Sequence, residues 1–95
     1  MAVIKSEEIN RFLHLPVRIG IQDSEEEDKP PFIEKIINKA EVCPDGTHLR
    51  LYFNERNFLA VPLNAEVTES GYEWSAHDVR SGLTYIIRKG KLPNE

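Results

Sequence analysis

Glu66-Val-Thr-Glu-Ser-Gly-Tyr-Glu-Trp-Ser-Ala-His-Asp78, then Val79-Arg80-Ser81, then Gly82-Leu-Thr-Tyr-Ile-Ile-Arg-Lys-Gly90 is the stretch whose reading decides the fold. Its flanks are rich in β-branched and aromatic residues, which fit a pleated, half-buried surface. Gly82 closes the short loop between them, where a hairpin with a bulge needs positive φ. Tyr72, Trp74 and Ala76 alternate with Glu73, Ser75 and His77. Leu83, Tyr85 and Ile87 offer a matching apolar face on the return strand. The only Trp and two of the three Tyr lie here, so Trp74 and Tyr85 are expected in the core, with the other strands packed on them. Gly71, within the first long strand, is a natural bend point.

Upstream, Ser6 is expected to cap a short helix, with Glu7 and Glu8 in its first turn where the helix dipole favours acids. Ile9, Phe12 and Leu13 give that helix one apolar stripe. Pro16 ends it. Val17, Ile19 and Ile21 then alternate with polar or small residues, the signature of a strand with one buried face. Residues 23–31 form an acidic stretch ending in two prolines, read as an exposed loop that contributes nothing to the core.

The segment from Phe32 to Val42 fits a strand or a helical turn by its own pattern. Pro44-Asp45-Gly46 favours the strand, because that sequence suits a tight hairpin turn into His48–Phe53, while residues 33–39 remain open to a helical reading. There Leu49, Leu51 and Phe53 alternate as the buried face. Asn54–Asn57 is a second turn. Phe58–Leu63 is another strand, and Pro62 marks it as an edge. The predicted protein is a single small domain over 1–95, mainly β. A short N-terminal helix precedes about six antiparallel strands in a meander, which is expected to curl into an SH3-like or similar barrel.

The net charge of −4 is unevenly spread. Asp23–Asp28 holds five of the 16 acids and no base, which leaves 11 acids against 12 Lys and Arg elsewhere. A near-neutral body is not the footprint of a strongly basic nucleic-acid binder. No apolar run approaches the ~20 residues of a membrane span, and the first residues are too acidic for a signal peptide. The single cysteine, Cys43, excludes an internal disulfide framework. A cytoplasmic protein with no membrane partner is expected.

Cys43 and His48 flank the proposed turn, but a structural zinc site takes four Cys or His ligands. One Cys and three His, with His14 in the helical region, do not supply them, and no metal or cofactor is expected. Cys43 with His48 or His77, oriented by Asp78, has the composition of a nucleophilic triad. No pocket-building segment surrounds these residues, and His77-Asp78 at a hairpin end is ordinary turn chemistry. The chain is therefore not expected to be an enzyme.

Two function classes stand. In the first, the protein is a small cytosolic protein-binding adaptor or regulatory module. Its partner is another protein or a second copy. Arg50 and Tyr52 share one strand face, Tyr72 adds an aromatic, and His77, Asp78 and Arg80 cluster at the hairpin loop. Such Tyr and Arg positions are the types enriched at interface centres. In the second class, the same face of a small barrel binds RNA or single-stranded nucleic acid.

Overall fold

The computed structural model describes residues 4–23 and 32–90. A 3-10 helix, Ser6–Phe12, precedes eight strands: β1 (Pro16–Asp23), β2 (Ile33–Ile36), β3 (Lys39–Val42), β4 (His48–Tyr52), β5 (Phe58–Pro62), β6 (Glu66–Glu69), β7 (Glu73–Asp78) and β8 (Leu83–Lys89). They form two antiparallel sheets. One has five strands in the order β2-β1-β8-β7-β6, and the other is the three-stranded ladder β3-β4-β5.

The protein is mainly β, but the simple meander is corrected. β1 pairs along its whole length with β8, from Val17 opposite Lys89 to Asp23 opposite Leu83, so the two ends of the described chain lie side by side. No closed barrel is detected among the described residues; the strands make two separate ladders. The two strands beyond the expected six come from two breaks. The first divides the Glu66–Asp78 stretch at residues 70–72, around Gly71. The second divides Phe32–Val42 at Ile37 and Asn38.

That second break joins the sheets. Val17 and Ile19 of β1 face Lys35 and Ile33 of β2. Beyond the break the parity changes, and Ala40 and Val42 oppose the buried Leu51 and Leu49. Ile37 is the fully buried pivot. Its carbonyl accepts the His14 N–H at 2.9 Å. Asn38 holds the corner with its backbone N–H on the Tyr52 carbonyl at 2.7 Å and its side-chain amide on the Phe53 carbonyl at 2.8 Å.

The inner faces share one core. Trp74, Ala76, Ile87, Val17 and Ile19 come from the larger sheet, and Leu49, Leu51 and Val61 from the smaller. Trp74 is fully buried and Tyr85 nearly so. The helix adds Ile9 and Phe12 to this core. It is a 3-10 helix in which Ser6, the expected cap, is the first helical residue; the Lys5 N–H donates to Glu8 Oε2 at 3.1 Å. Glu8 Oε1 accepts the Trp74 indole N–H at 3.2 Å, so a polar atom of a buried aromatic is satisfied from the helix. Arg11 pairs with Glu69 at 3.4 Å, which pins the helix over the β6 end of the sheet.

Ile21 departs from expectation: at 41% exposed it is not part of the buried face. It lines an open apolar groove with Ile19, Gly20, Ile33, Phe53 and Leu59, where the sheets part. Of the acidic stretch, Asp23 is the last residue of β1, and 24–31 lie outside the described residues.

Pro62 sits at the end of an edge strand, as its chemistry requires. Leu63 N–H bonds the Thr47 carbonyl, and Phe53 N–H bonds the Asn57 carbonyl. Antiparallel ladders alternate bonded and non-bonded pairs, so the Pro62–His48 pair is a non-bonded one. The ring therefore replaces an outward-pointing N–H and no ladder bond is lost.

Candidate functional site

The outer face of the three-stranded sheet carries the strand residues singled out in the sequence. Because Leu49 and Leu51 point inward, His48, Arg50 and Tyr52 point outward. Register sets them in rows: Lys39, Tyr52 and Phe58 in one, Glu41, Arg50 and Ala60 in the next, His48 and Pro62 in the last. Arg50 Nη1 donates to the Tyr52 hydroxyl at 3.1 Å. Its guanidinium stacks 4.8 Å from the centre of the Phe58 ring. Tyr52 and Phe58 meet at 5.2 Å with a 50° tilt, and Lys39 Nζ sits 4.9 Å from the Tyr52 ring centre. The hydrogen bond to Tyr52 holds the Arg50 pKa above its ordinary value; a guanidinium is in any case charged at every pH a protein meets. Phe58 is 43% exposed. Its reach toward Arg50 follows from register and was not legible from the turn that precedes it.

The β3–β4 turn lies beside this face. Asp45 Oδ1 accepts from the Cys43 thiol at 2.6 Å, the Thr47 hydroxyl at 2.8 Å and the Thr47 N–H at 3.3 Å. These bonds, that of Cys43 first, lower the Asp45 pKa. For Cys43 the bond to Asp45 is the largest influence and raises the thiol pKa, but the Thr47 hydroxyl and the His48 and Thr47 backbone N–H groups outweigh it, and the net direction is down. His48 Nδ1 lies 2.8 Å from the Thr47 hydroxyl oxygen, within hydrogen-bond distance.

The residues of the supposed triad do not converge. The Cys43 thiol bonds Asp45, with no bond to the His48 ring. His77 lies on the outer face of the other sheet, with Nδ1 2.8 Å from the Thr84 hydroxyl. Asp78 stays at its hairpin, accepting from Arg80 N–H at 3.2 Å and the Ser81 hydroxyl at 2.7 Å. These bonds, led by that of Ser81, lower its pKa. No group of three or more His, Cys, Asp or Glu placed to hold a metal occurs among the described residues.

The remaining candidates divide by position. Tyr72, 60% exposed, immediately precedes β7, at the opposite end of that strand from Asp78 and Arg80, and is not part of the same surface. Asp78 and Arg80 approach the β3–β4 turn. With Gly46, Thr47, His48, Pro62, Leu63 and Asn64 they line a half-open cavity of about 540 Å³. A second cavity of about 440 Å³ runs from Cys43 and Asp45 past Thr47 and His48 to Arg50, Phe58 and Ala60. Thr47 and His48 line both. The tertiary structure thus joins Arg50, Tyr52, Asp78 and Arg80 through His48 and leaves out Tyr72 and His77.

Comparison of the chain with protein-family models, curated proteins and solved structures finds no match in any of the three. No described helix is long and apolar enough to cross a membrane.

Proposed function

We propose that this protein is a non-catalytic protein-binding module that uses the outer face of β3-β4-β5. The observation that carries the reading is the Arg50–Tyr52–Phe58 cluster. It joins three residues of interface-centre type, already ordered by one hydrogen bond and two ring contacts. A group held in its bound geometry loses little entropy on association. One unpaired cysteine suits a reducing compartment, and the cytosol is proposed on that ground.

Nucleic-acid binding is the second reading, favoured by cations beside aromatic rings on an exposed sheet face. It is weaker because those rings already spend faces on Lys39 and Arg50, and because the chain carries a net −4.

The test is affinity purification from lysate with the full chain, a Phe58→Ser variant, and an Arg88→Gln variant as control. A protein lost with Phe58→Ser and retained with Arg88→Gln supports the reading. Equal recovery by all three sinks it. A parallel salt series with mixed single-stranded RNA decides for the second reading if affinity falls steeply with salt.

A further inference from the structure

Among the described residues the two sheets have four edge strands, β2 and β6 in the larger sheet and β3 and β5 in the smaller. An open edge is a template for another strand, and most edges carry something that blocks pairing with their own copy. In β5, Pro62 stands where an outward-facing N–H would be. β6 carries Glu66 and Glu69 and no base. In β2 the parity is set by the Gly90 N–H, which bonds the Pro16 carbonyl. Val17 and Ile19 therefore bond β2, and Glu34 and Ile36 face outward. When a strand pairs antiparallel with its own copy, outward-facing residues must oppose one another, so the two-fold axis passes between a residue and its counterpart. The two registers that pair most of β2 then put Glu34 on Glu34 or Lys35 on Lys35, like charges in direct opposition.

The β3 edge, Lys39–Val42, has the opposite character. The Cys43 N–H bonds the His48 carbonyl at 2.9 Å, so alternation turns the backbone groups of Ala40 and Val42 away from β4. Among the described residues nothing bonds them from outside the ladder. We infer that this edge pairs antiparallel with β3 of a second copy of the chain, about a two-fold axis at Ala40. The Ala40 N–H of each copy donates to the Ala40 carbonyl of the other. Lys39 of each copy lies opposite Glu41 of the other, in non-bonded pairs where side chains approach most closely. Within one chain these two side chains are 3.9 Å apart and more than half exposed, so both can turn to the second copy. A shift of register in either direction sets Lys39 on Lys39 or Glu41 on Glu41, so charge selects the register as well as the partner. Val42, 42% exposed, gains the other copy's Ala40 as a diagonal neighbour. The product is one sheet in the order β5-β4-β3-β3-β4-β5, with both Arg50–Tyr52–Phe58 clusters on its outer face. This pairing concerns the edge and does not rest on the protein-binding reading of that face.

The experiment follows the full chain by sedimentation equilibrium and by NMR over a concentration series reaching the millimolar range. A four-residue strand buries little surface, so the expected dimer is weak and forms as concentration rises. The amides of Ala40 and Val42 should gain protection from hydrogen exchange with it. Glu41→Lys makes both cross-strand pairs repulsive and should weaken the dimer about tenfold, as should Lys39→Glu. The exchanged variant, Lys39→Glu with Glu41→Lys, restores both pairs and should return the affinity to within about threefold of the parent chain. These positions are exposed, and the NMR spectrum of each variant should remain that of the folded protein. Arg88→Gln, on the other sheet, should leave the dimer unchanged. A chain that stays monomeric at every concentration overturns the inference. So does a dimer indifferent to Glu41→Lys, an exchanged variant that fails to restore it, or protection that rises at another edge. A dimer that responds as described supports the inference whether or not Phe58-dependent capture of a protein is found.

Discussion

On the outer faces of the two sheets, Arg88 stacks on Phe32 and Arg50 on Phe58, and the two pairs do different work. Arg88 lies 4.6 Å from the centre of the Phe32 ring and forms a 2.6 Å ion pair with Glu73. Phe32 packs in turn on Gly20, where an added Cβ would come within 3.0 Å of the ring. That face has its charge neutralised and its ring seated on backbone. Arg50 lies 4.8 Å from the Phe58 ring but has a phenol as its one hydrogen-bonded partner among the described residues, and the cavity beside it is open. The same pair of residue types is closed on the large sheet and open on the small one. What separates a structural contact from a candidate binding group is whether a carboxylate and a covering side chain complete it.

The comparison can be broken most severely through the core that both faces share. Trp74→Ala should cost about 3–5 kcal/mol, the usual range for a deleted buried aromatic. It also orphans Glu8 from its indole partner. Urea unfolding measures it; a loss below about 1 kcal/mol would mean that the sheets do not depend on a common core.

Next in size is the seating of Phe32. Gly20→Val should cost about 1–3 kcal/mol by overpacking against the ring. In a Phe32→Ala background most of that cost should vanish, because the clash has no partner. Additive effects of the two substitutions would show that Phe32 does not cover Gly20 in solution.

Smaller still is the contrast between the arginines. Glu73→Gln should cost about 0.5–1 kcal/mol, since its pair with Arg88 is partly exposed and solvent-screened. Arg50→Gln, with no ion pair among the described residues to lose, should change thermal stability by under about 0.5 kcal/mol. Its effect belongs to binding. Equal costs would erase the distinction between the closed and open faces.

The smallest effect concerns acid. The Asp78 pKa is depressed in the folded protein, by the Ser81 hydroxyl first and then by backbone donors. Its stabilisation is present above the unfolded-state value, about 3.9, and is lost as pH falls through the lower folded value. Asp78→Asn should therefore narrow the stability difference between pH 6 and pH 3, while leaving the shape of the curve above pH 6 unchanged. Thermal melts across that range check it.

The Phe32–Gly20 contact shows why part of this was hidden from a sequence reading. Gly20 interrupts an alternating strand without a turn to explain it, and only a ring laid over that position accounts for it. Arg50 and Tyr52 were readable as neighbours because alternation in β4 puts them on one side. Phe58 and Lys39 were not, because their places depend on the register of separate strands. Arg80 was readable as a loop-tip charge, but its approach to His48 depends on how three turns gather at one end of the molecule.

The sequence by itself determined the strand-rich class and the hairpins closed at Gly46 and Gly82, both at positive φ; it offered Trp74 as an expected core residue, and the structure buries it. These follow from local alternation and from turn residues whose conformations are restricted. Only the tertiary structure decided that β1 pairs with β8, that one apparent strand bends at Ile37 and Asn38 into two sheets, and that Tyr72 stands apart from Arg80. Alternation reports which face of a strand is buried and carries no information about which strand lies beside it. Pairing between segments distant in sequence depends on the total apolar surface they bury together.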